Sequence, residues 1–294
     1  MPSRSALLPG PLADPGLIDR LRGWLAEDIG RGDLTAPALV GLRGRAEWVA
    51  KQDGLFAGGV LVEPLFRLLD PLVRVQMRVA DGEAVAAGTR LLEIEGAAAA
   101  LVAGERTALN LAMRLSGIAT ATAALVARLE GTGVRLVDTR KTTPGLRQLE
   151  KYAVRCGGGH NHRLGLDDAA MLKENHLAWA GGVGPAIAAV RSAAPWPARV
   201  IVEAETADEA EAAVRAGADG VLLDEFAPEA LEQLIPRLRA LVAAAGPPGG
   251  LVLEASGVNP ALLEHFGRTG VDLISTSAPI TRSPWLDLSM RFVG

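Results

Sequence analysis

The residue types that can carry chemistry are concentrated between positions 138 and 176. This stretch holds seven Lys or Arg residues (Arg140, Lys141, Arg147, Lys151, Arg155, Arg163 and Lys173) and three of the chain's four histidines, His160, His162 and His176. Five acids lie among them, which leaves a local formal charge of +2 (7 − 5) in a chain whose net charge is −4. Such a cluster suits a small, multiply anionic ligand, because Arg grips a carboxylate with two parallel hydrogen bonds and Lys acts as a point charge. A solvated basic face explains the same counts. It does not explain Gly157-Gly158-Gly159, whose freedom at positive φ lets the backbone turn sharply or approach a ligand closely.

Two further constellations lie downstream. Glu203 and Asp224 each end an apolar run, Val200-Ile201-Val202 and Val221-Leu222-Leu223. Two carboxylates on one rim can hold a hard cation such as Mg²⁺, directly or through water, or accept hydrogen bonds from sugar hydroxyls. Structural pairing with a cation such as Lys141 is the alternative, and Glu205 competes with Glu203 for the same face. Ser256-Gly257 and Ser275-Thr276-Ser277-Ala278 offer hydroxyls and small residues that can hold a phosphate, as late loops of β/α barrels do. His265 sits in a helical pattern and reads as a packing histidine. The single cysteine, Cys156, has no partner for a disulfide or zinc cluster and no nucleophile motif around it. No G-x-G-x-x-G, P-loop, H-E-x-x-H or EF-hand pattern occurs.

The elements that must position these groups follow from periodicity. Residues 1–16 hold four prolines and read as an irregular arm. Leu17, Ile18, Leu21, Trp24 and Leu25 share a helical face. Residues 45–62 and 72–95 predict strands with tight turns, and 101–129 predict Ala- and Leu-rich helix broken near Gly117. After Gly131 the rhythm changes. Short strands at 135–139, 169–173, 199–205, 220–224, 251–256 and 272–277 alternate with helices near 183–194, 206–216, 227–244 and 259–268. That alternation implies a parallel sheet, since each crossover needs a helix to return the chain. The C-terminal end of every strand is polar, which favours a β/α barrel, incomplete at six visible strands, over an open sheet with one switch point.

Composition sets the outer limits. The chain has 294 residues, 49% of them hydrophobic and 22% charged, so it belongs among globular proteins of about two domains. The acidic balance argues against a nucleic-acid partner. One cysteine, no signal-peptide pattern and no uninterrupted apolar run of about 18 residues predict a cytoplasmic protein without a membrane partner.

The longest motifs resemble a known family. Val137-Asp138-Thr139-Arg140-Lys141-Thr142-Thr143-Pro144-Gly145-Leu146-Arg147, Glu150 to Gly159 and Asn161-His162-Arg163-Leu164-Gly165-Leu166 closely resemble the quinolinate phosphoribosyltransferases. So do Glu27-Asp28-Ile29-Gly30, Lys173-Glu174-Asn175-His176, Glu254-Ala255-Ser256-Gly257 and Asp287 to Phe292. The resemblance implies an α/β fold, with an N-terminal α/β sandwich domain over 1–117, rejoined by 280–294, and an incomplete, seven-stranded β/α barrel over 118–279. It implies transfer of a phosphoribosyl group from phosphoribosyl pyrophosphate to quinolinate, with loss of CO₂ and pyrophosphate, using Mg²⁺. Carried over by position, Arg106, Arg140, His162, Arg163 and Lys173 surround the quinolinate carboxylates. Lys141, Glu203 and Asp224 handle the donor and its metal, while Ser256, Gly257 and Ser277 fall at the 5′-phosphate end. A homodimer is implied, with Arg106 completing the partner subunit's site. Two readings of the residues alone remain beside it: an aldolase-type enzyme with Lys173 as a Schiff-base amine, and a non-catalytic dicarboxylate-binding protein.

Overall fold

The computed structural model describes residues 10–245 and 250–293, and the first nine residues of the expected arm lie outside them. The chain divides into two compact units. The first comprises 1–124, 142–158 and 278–294, and the second 125–141 and 159–277. The fold is the expected mixed α/β class: a small antiparallel sheet with helices, and a parallel sheet with helices.

In the first unit, β1 (Arg43–Ala50) pairs antiparallel with β5 (Arg90–Ala97) and with β12 (Leu288–Val293), and β3 (Arg74–Met77) extends the sheet beside β5. The strand expected over 45–62 is shorter than that pattern. It stops at Ala50, and 62–67 turn into helix, because Val62, Leu65 and Phe66 bury one helical face. Helix α3 (Ala98–Arg128) is continuous, so the expected break at Gly117 does not occur. A Cβ at Gly117 would lie 2.0 Å from the Pro284 carbonyl oxygen; glycine is there because another backbone crosses the helix at contact distance. By length and composition α3 could cross a membrane. It carries Glu105, Arg106 and Arg114, however, and packs Leu101, Leu109, Leu115 and Ile118 into this unit's core.

Helix α4 (Arg147–Cys156) also belongs to the first unit. Its Glu150 is fully buried. The carboxylate accepts from Arg114 Nη2 at 2.8 Å and from the Thr143 N–H and hydroxyl, each at 2.8 Å. A buried charge is tolerated only with such partners. Gly157 ends α4 where a Cβ would meet the Ala119 carbonyl oxygen at 2.4 Å, and Gly158 takes φ +85°. The glycine run therefore serves the sharp turn, one of the two uses expected for it, and a close helix contact.

The second unit is built on a six-stranded parallel sheet in the order β6-β11-β10-β9-β8-β7. Its strands are β6 (Arg135–Val137), β7 (Ala170–Leu172), β8 (Val200–Ala204), β9 (Gly220–Asp224), β10 (Val252–Ser256) and β11 (Leu273–Ser275). His160 adds one parallel bridge to Val137 on the outer side of β6, which stands where a seventh strand was implied. Alternation along each strand sorts the side chains. Val200, Val202, Val221, Leu223, Leu253, Ala255 and Ile274 pack into a core with α8 (Pro228–Ala245) residues such as Leu231 and Leu238. The residues between them face the other way: Glu203, Leu222, Asp224, Glu254, Ser256 and Ser275 all line one hollow.

Gly117 gives a test of this packing. Alanine is favoured over glycine inside a helix by about 1 kcal/mol. Overpacking against a backbone atom that cannot rotate away costs about 1–3 kcal/mol or more. Gly117→Ala should therefore lower the urea midpoint at unchanged m-value, by about 2 kcal/mol in stability; a stabilised variant would contradict the backbone contact.

Candidate active site

Register places the polar strand ends side by side. Leu172 pairs with Val202, so the next residues, Lys173 and Glu203, meet at the strand ends. Ser256 pairs with Asp224. The resulting hollow has a volume of about 300 Å³ and is lined by Asp138, Thr139, Arg140, Lys141, His162, Arg163, Met171, Lys173, Glu203, Leu222, Asp224, Glu254, Ser256 and Ser275. Every one of these residues belongs to the second unit.

Most of the expected site residues meet here: Arg140, Lys141, His162, Arg163, Lys173, Glu203, Asp224 and Ser256. Gly257 follows directly on the end of β10, and Ser277 lies two residues beyond the end of β11. Gly257 has φ +68°, and a Cβ there would meet Glu225 Cγ at 2.8 Å. Glu225 itself has φ +59°, the one non-glycine in that region among the described residues, so the ends of β9 and β10 form two interlocked left-handed turns. Arg106 is not among these residues. It lies on α3 in the first unit, exposed, beside a hollow it shares with Trp24, Glu27, Asp28, Thr107, Asn110, Leu111 and Leu146. Glu205 is also elsewhere: its N–H donates to Glu209 at the start of α7 (Ala207–Arg215), which ranks Glu203 as the rim carboxylate.

The charge balance corrects the sequence count. Arg147, Lys151 and Arg155 lie on α4, so three of the seven clustered cations do not line the hollow. The four that do, Arg140, Lys141, Arg163 and Lys173, stand with four carboxylates, Asp138, Glu203, Asp224 and Glu254. Three of those carboxylates are committed. Asp138 is buried and accepts from Asn161 Nδ2 at 2.6 Å and the His162 N–H at 2.8 Å. Glu254 takes His162 Nε2 at 3.1 Å. Glu203 pairs with the Lys173 ammonium. Asp138 and Glu254 had no role in the sequence reading. Their signal was an acid inside or at the end of an apolar run, Leu136-Val137-Asp138 and Val252-Leu253-Glu254-Ala255, where burial demands a partner.

Arg163 carries the clearest electrostatic mark. Burial pushes its guanidinium below the usual range, and the neighbouring Arg140 pushes it further, against the opposing pull of Asp168 and Glu203. Two cations held close enough to disfavour each other favour an anion between or beside them. One Arg163 nitrogen donates to the Ala169 carbonyl at 3.0 Å, which fixes the fork. His176 accepts the Lys173 N–H at 3.1 Å. It anchors the backbone of Lys173 at the start of α5 (Glu174–Ala180).

Other chemistries fit poorly. Lys173 is engaged by the Glu203 carboxylate, which counts against its use as a free Schiff-base amine. Cys156 is buried and its thiol is pushed up to about 12, so it supplies no thiolate near neutral pH. Among the described residues no group of three or more His, Cys, Asp or Glu could hold a metal alone. Glu203 and Asp224 do fit Mg²⁺ of the kind bound by one or two carboxylates plus substrate oxygens.

Comparison with known proteins agrees along the whole chain. Residues 33–116 match the quinolinate phosphoribosyl transferase N-terminal domain, and residues 118–291 match the C-terminal domain of the same enzyme. A Synechocystis protein named probable nicotinate-nucleotide pyrophosphorylase (carboxylating) is 46% identical over 292 residues, covering 98% of this chain and 95% of its own. A human nicotinate-nucleotide pyrophosphorylase (carboxylating) is 38% identical over 291 residues, covering 97% and 94%. The crystal structure of NadC from Streptococcus pyogenes superposes with a TM-score of 0.85 at 38% identity, covering 94% of this chain and 96% of that one.

The Arg140–Arg163 pair yields a test that needs no turnover. Phthalate, a rigid aromatic ring with two adjacent carboxylates, should bind, and benzoate should bind far more weakly. Removing one charged hydrogen-bond donor costs about 1.5–3 kcal/mol, so Arg163→Ala should weaken phthalate about 10- to 100-fold by calorimetric titration. Equal affinity for the two ligands would contradict a dianion site.

Proposed function

Because the chain belongs to the quinolinate phosphoribosyl transferase family, we propose that the second-unit hollow is where it acts as a carboxylating nicotinate-nucleotide pyrophosphorylase. The enzyme converts quinolinate and phosphoribosyl pyrophosphate into nicotinate mononucleotide, CO₂ and pyrophosphate, a phosphoribosyl transfer of NAD biosynthesis. The observation that carries the site assignment is that Arg140, Arg163 and Lys173 line one hollow together with the Glu203 and Asp224 carboxylates.

Arg140, Arg163 and Lys173 take the two adjacent carboxylates of quinolinate, with His162 beside them. Taking a carboxylate onto Lys173 loosens its pairing with Glu203. The ring nitrogen then attacks C1 of the ribose as the bond to pyrophosphate breaks. Glu203 and Asp224 face the positive charge that develops at C1, and removal of such a charge-placing group costs about 10²–10³ in kcat. Lys141 lies where it can meet the donor's phosphates, and Ser256, Gly257 and Ser277 where they can meet the 5′-phosphate. Mg²⁺ held by Glu203 and Asp224, directly or through water, would neutralise the departing pyrophosphate. Once ribosylated, the ring nitrogen is cationic. The C2–carboxylate bond breaks with its electron pair left on C2 beside that cation, CO₂ leaves, and C2 takes up a proton. No protein nucleophile is required; the protein's task is positioning and charge placement.

Arg106 is assigned to the same reaction across a homodimer, where each copy completes the other's site. What supports this is its exposure on α3 in the first unit, with the other candidate ligands on the second. The reaction and its substrates suit a cytoplasmic enzyme.

Two outcomes follow. Quinolinate should be turned over and nicotinate should not, because a missing carboxylate leaves a half-buried cation unpaired, at a cost of several kcal/mol; mass detection of nicotinate mononucleotide decides it, and comparable use of nicotinate would overturn the site. Equal amounts of Arg106→Ala and Lys173→Ala, each inactive alone, should recover activity on mixing. Random re-pairing makes half the dimers mixed, each with one intact site, so about a quarter of all sites should work. Confirmed subunit exchange with no recovery would place Arg106 outside the partner's site.

A further inference from the structure

Next to the site hollow lies a second one of about 390 Å³, lined in part by residues of the same strands, among them Ile201, Val221, Val252 and Leu273. Its lining shares three residues with the site hollow, His162, Arg163 and Glu254. Glu254 is 3% exposed and comes from the middle of β10, where its strand neighbours Leu253 and Ala255 are core residues. One carboxylate oxygen meets His162 Nε2 at 3.1 Å. The other, Oε1, is buried with no hydrogen-bond partner among the described residues. A carboxylate so placed is costly unless it does something for its neighbours.

The histidine's other nitrogen settles its form. Nδ1 accepts the Arg163 backbone N–H at 2.7 Å, so in the neutral ring the proton sits on Nε2 and is donated to Glu254. The His162 N–H is held in turn by Asp138. Ring and backbone are thus clamped from both sides at the residue that immediately precedes Arg163. We propose that Glu254 is a positioning residue of the quinolinate site: by fixing the tautomer and rotation of His162, it sets the backbone that presents the Arg163 guanidinium. This rests on the functional reading above, but its first test does not, because the tautomer of His162 can be read in the ligand-free enzyme.

Nitrogen-15 NMR of the imidazole in the unaltered enzyme should report the Nε2–H form. Glu254→Gln keeps an acceptor for that proton and should keep the form, with the quinolinate Kd within about threefold of the original. Glu254→Ala removes the acceptor. It should give a mixed tautomer population and weaken quinolinate about tenfold or more, with the phosphoribosyl pyrophosphate Kd unchanged within about twofold. A Nδ1–H form in the unaltered enzyme, or an unchanged tautomer and unchanged quinolinate Kd in a folded Glu254→Ala, would overturn the assignment. So would a Glu254→Gln variant as damaged in quinolinate binding as Glu254→Ala, since that would make the charge, not the clamp, the operative feature. Absence of quinolinate binding by the unaltered enzyme would instead remove the functional reading and leave the tautomer result standing.

Discussion

Two guanidinium groups, Arg140 and Arg163, are held near each other at the mouth of a parallel sheet, and burial makes their mutual repulsion count. In water such a contact would cost little, but in a half-enclosed hollow it is screened less. The surrounding acids relieve it only in part: Asp168 and Glu203 pull against it, while Asp138 is committed to Asn161 and the His162 backbone and Glu254 to the His162 ring. The site is therefore neutral by count and uneven by arrangement. A dianionic ligand, as proposed, would supply the missing charge.

What holds the uneven arrangement in place is the period of two along parallel strands. Each of β8, β9 and β10 turns alternate residues to the helices and the others to the hollow. A slip of one residue would exchange Glu203 for Val202 and Asp224 for Leu223. Burial of the apolar set against α8 and its neighbours therefore also fixes where the ionic set points. The left-handed turns at Glu225 and Gly257 finish β9 and β10 at the same level, and the clamp around His162 does the same for the segment leading to Arg163.

Much of this was legible in the residues. The six parallel strands and their polar ends followed from apolar runs separated by helical patterns, and long motifs from Val137 to Leu166 carried the family. The errors have physical causes. Closeness in sequence made seven cations look like one cluster, whereas α4 takes Arg147, Lys151 and Arg155 into the first unit. Gly117 looked like a helix break because the backbone segment that touches it, at Pro284, is far off in sequence. Asp138 and Glu254 went unassigned because a carboxylate's partner is fixed by strand register, which no single strand reveals.

The proposed chemistry rests on charge placement with no protein nucleophile, and on one ordering: the ring nitrogen must become cationic before its neighbouring carboxylate can leave. Quinolinate labelled with carbon-13 in the carboxyl group at C2 tests that ordering directly. With phosphoribosyl pyrophosphate and Mg²⁺ present, labelled CO₂ should appear in equal amount to pyrophosphate, and with the donor omitted none should appear. Release of label without the donor, or formation of a ribosylated product that keeps the labelled carboxyl at the end of turnover, would contradict the account.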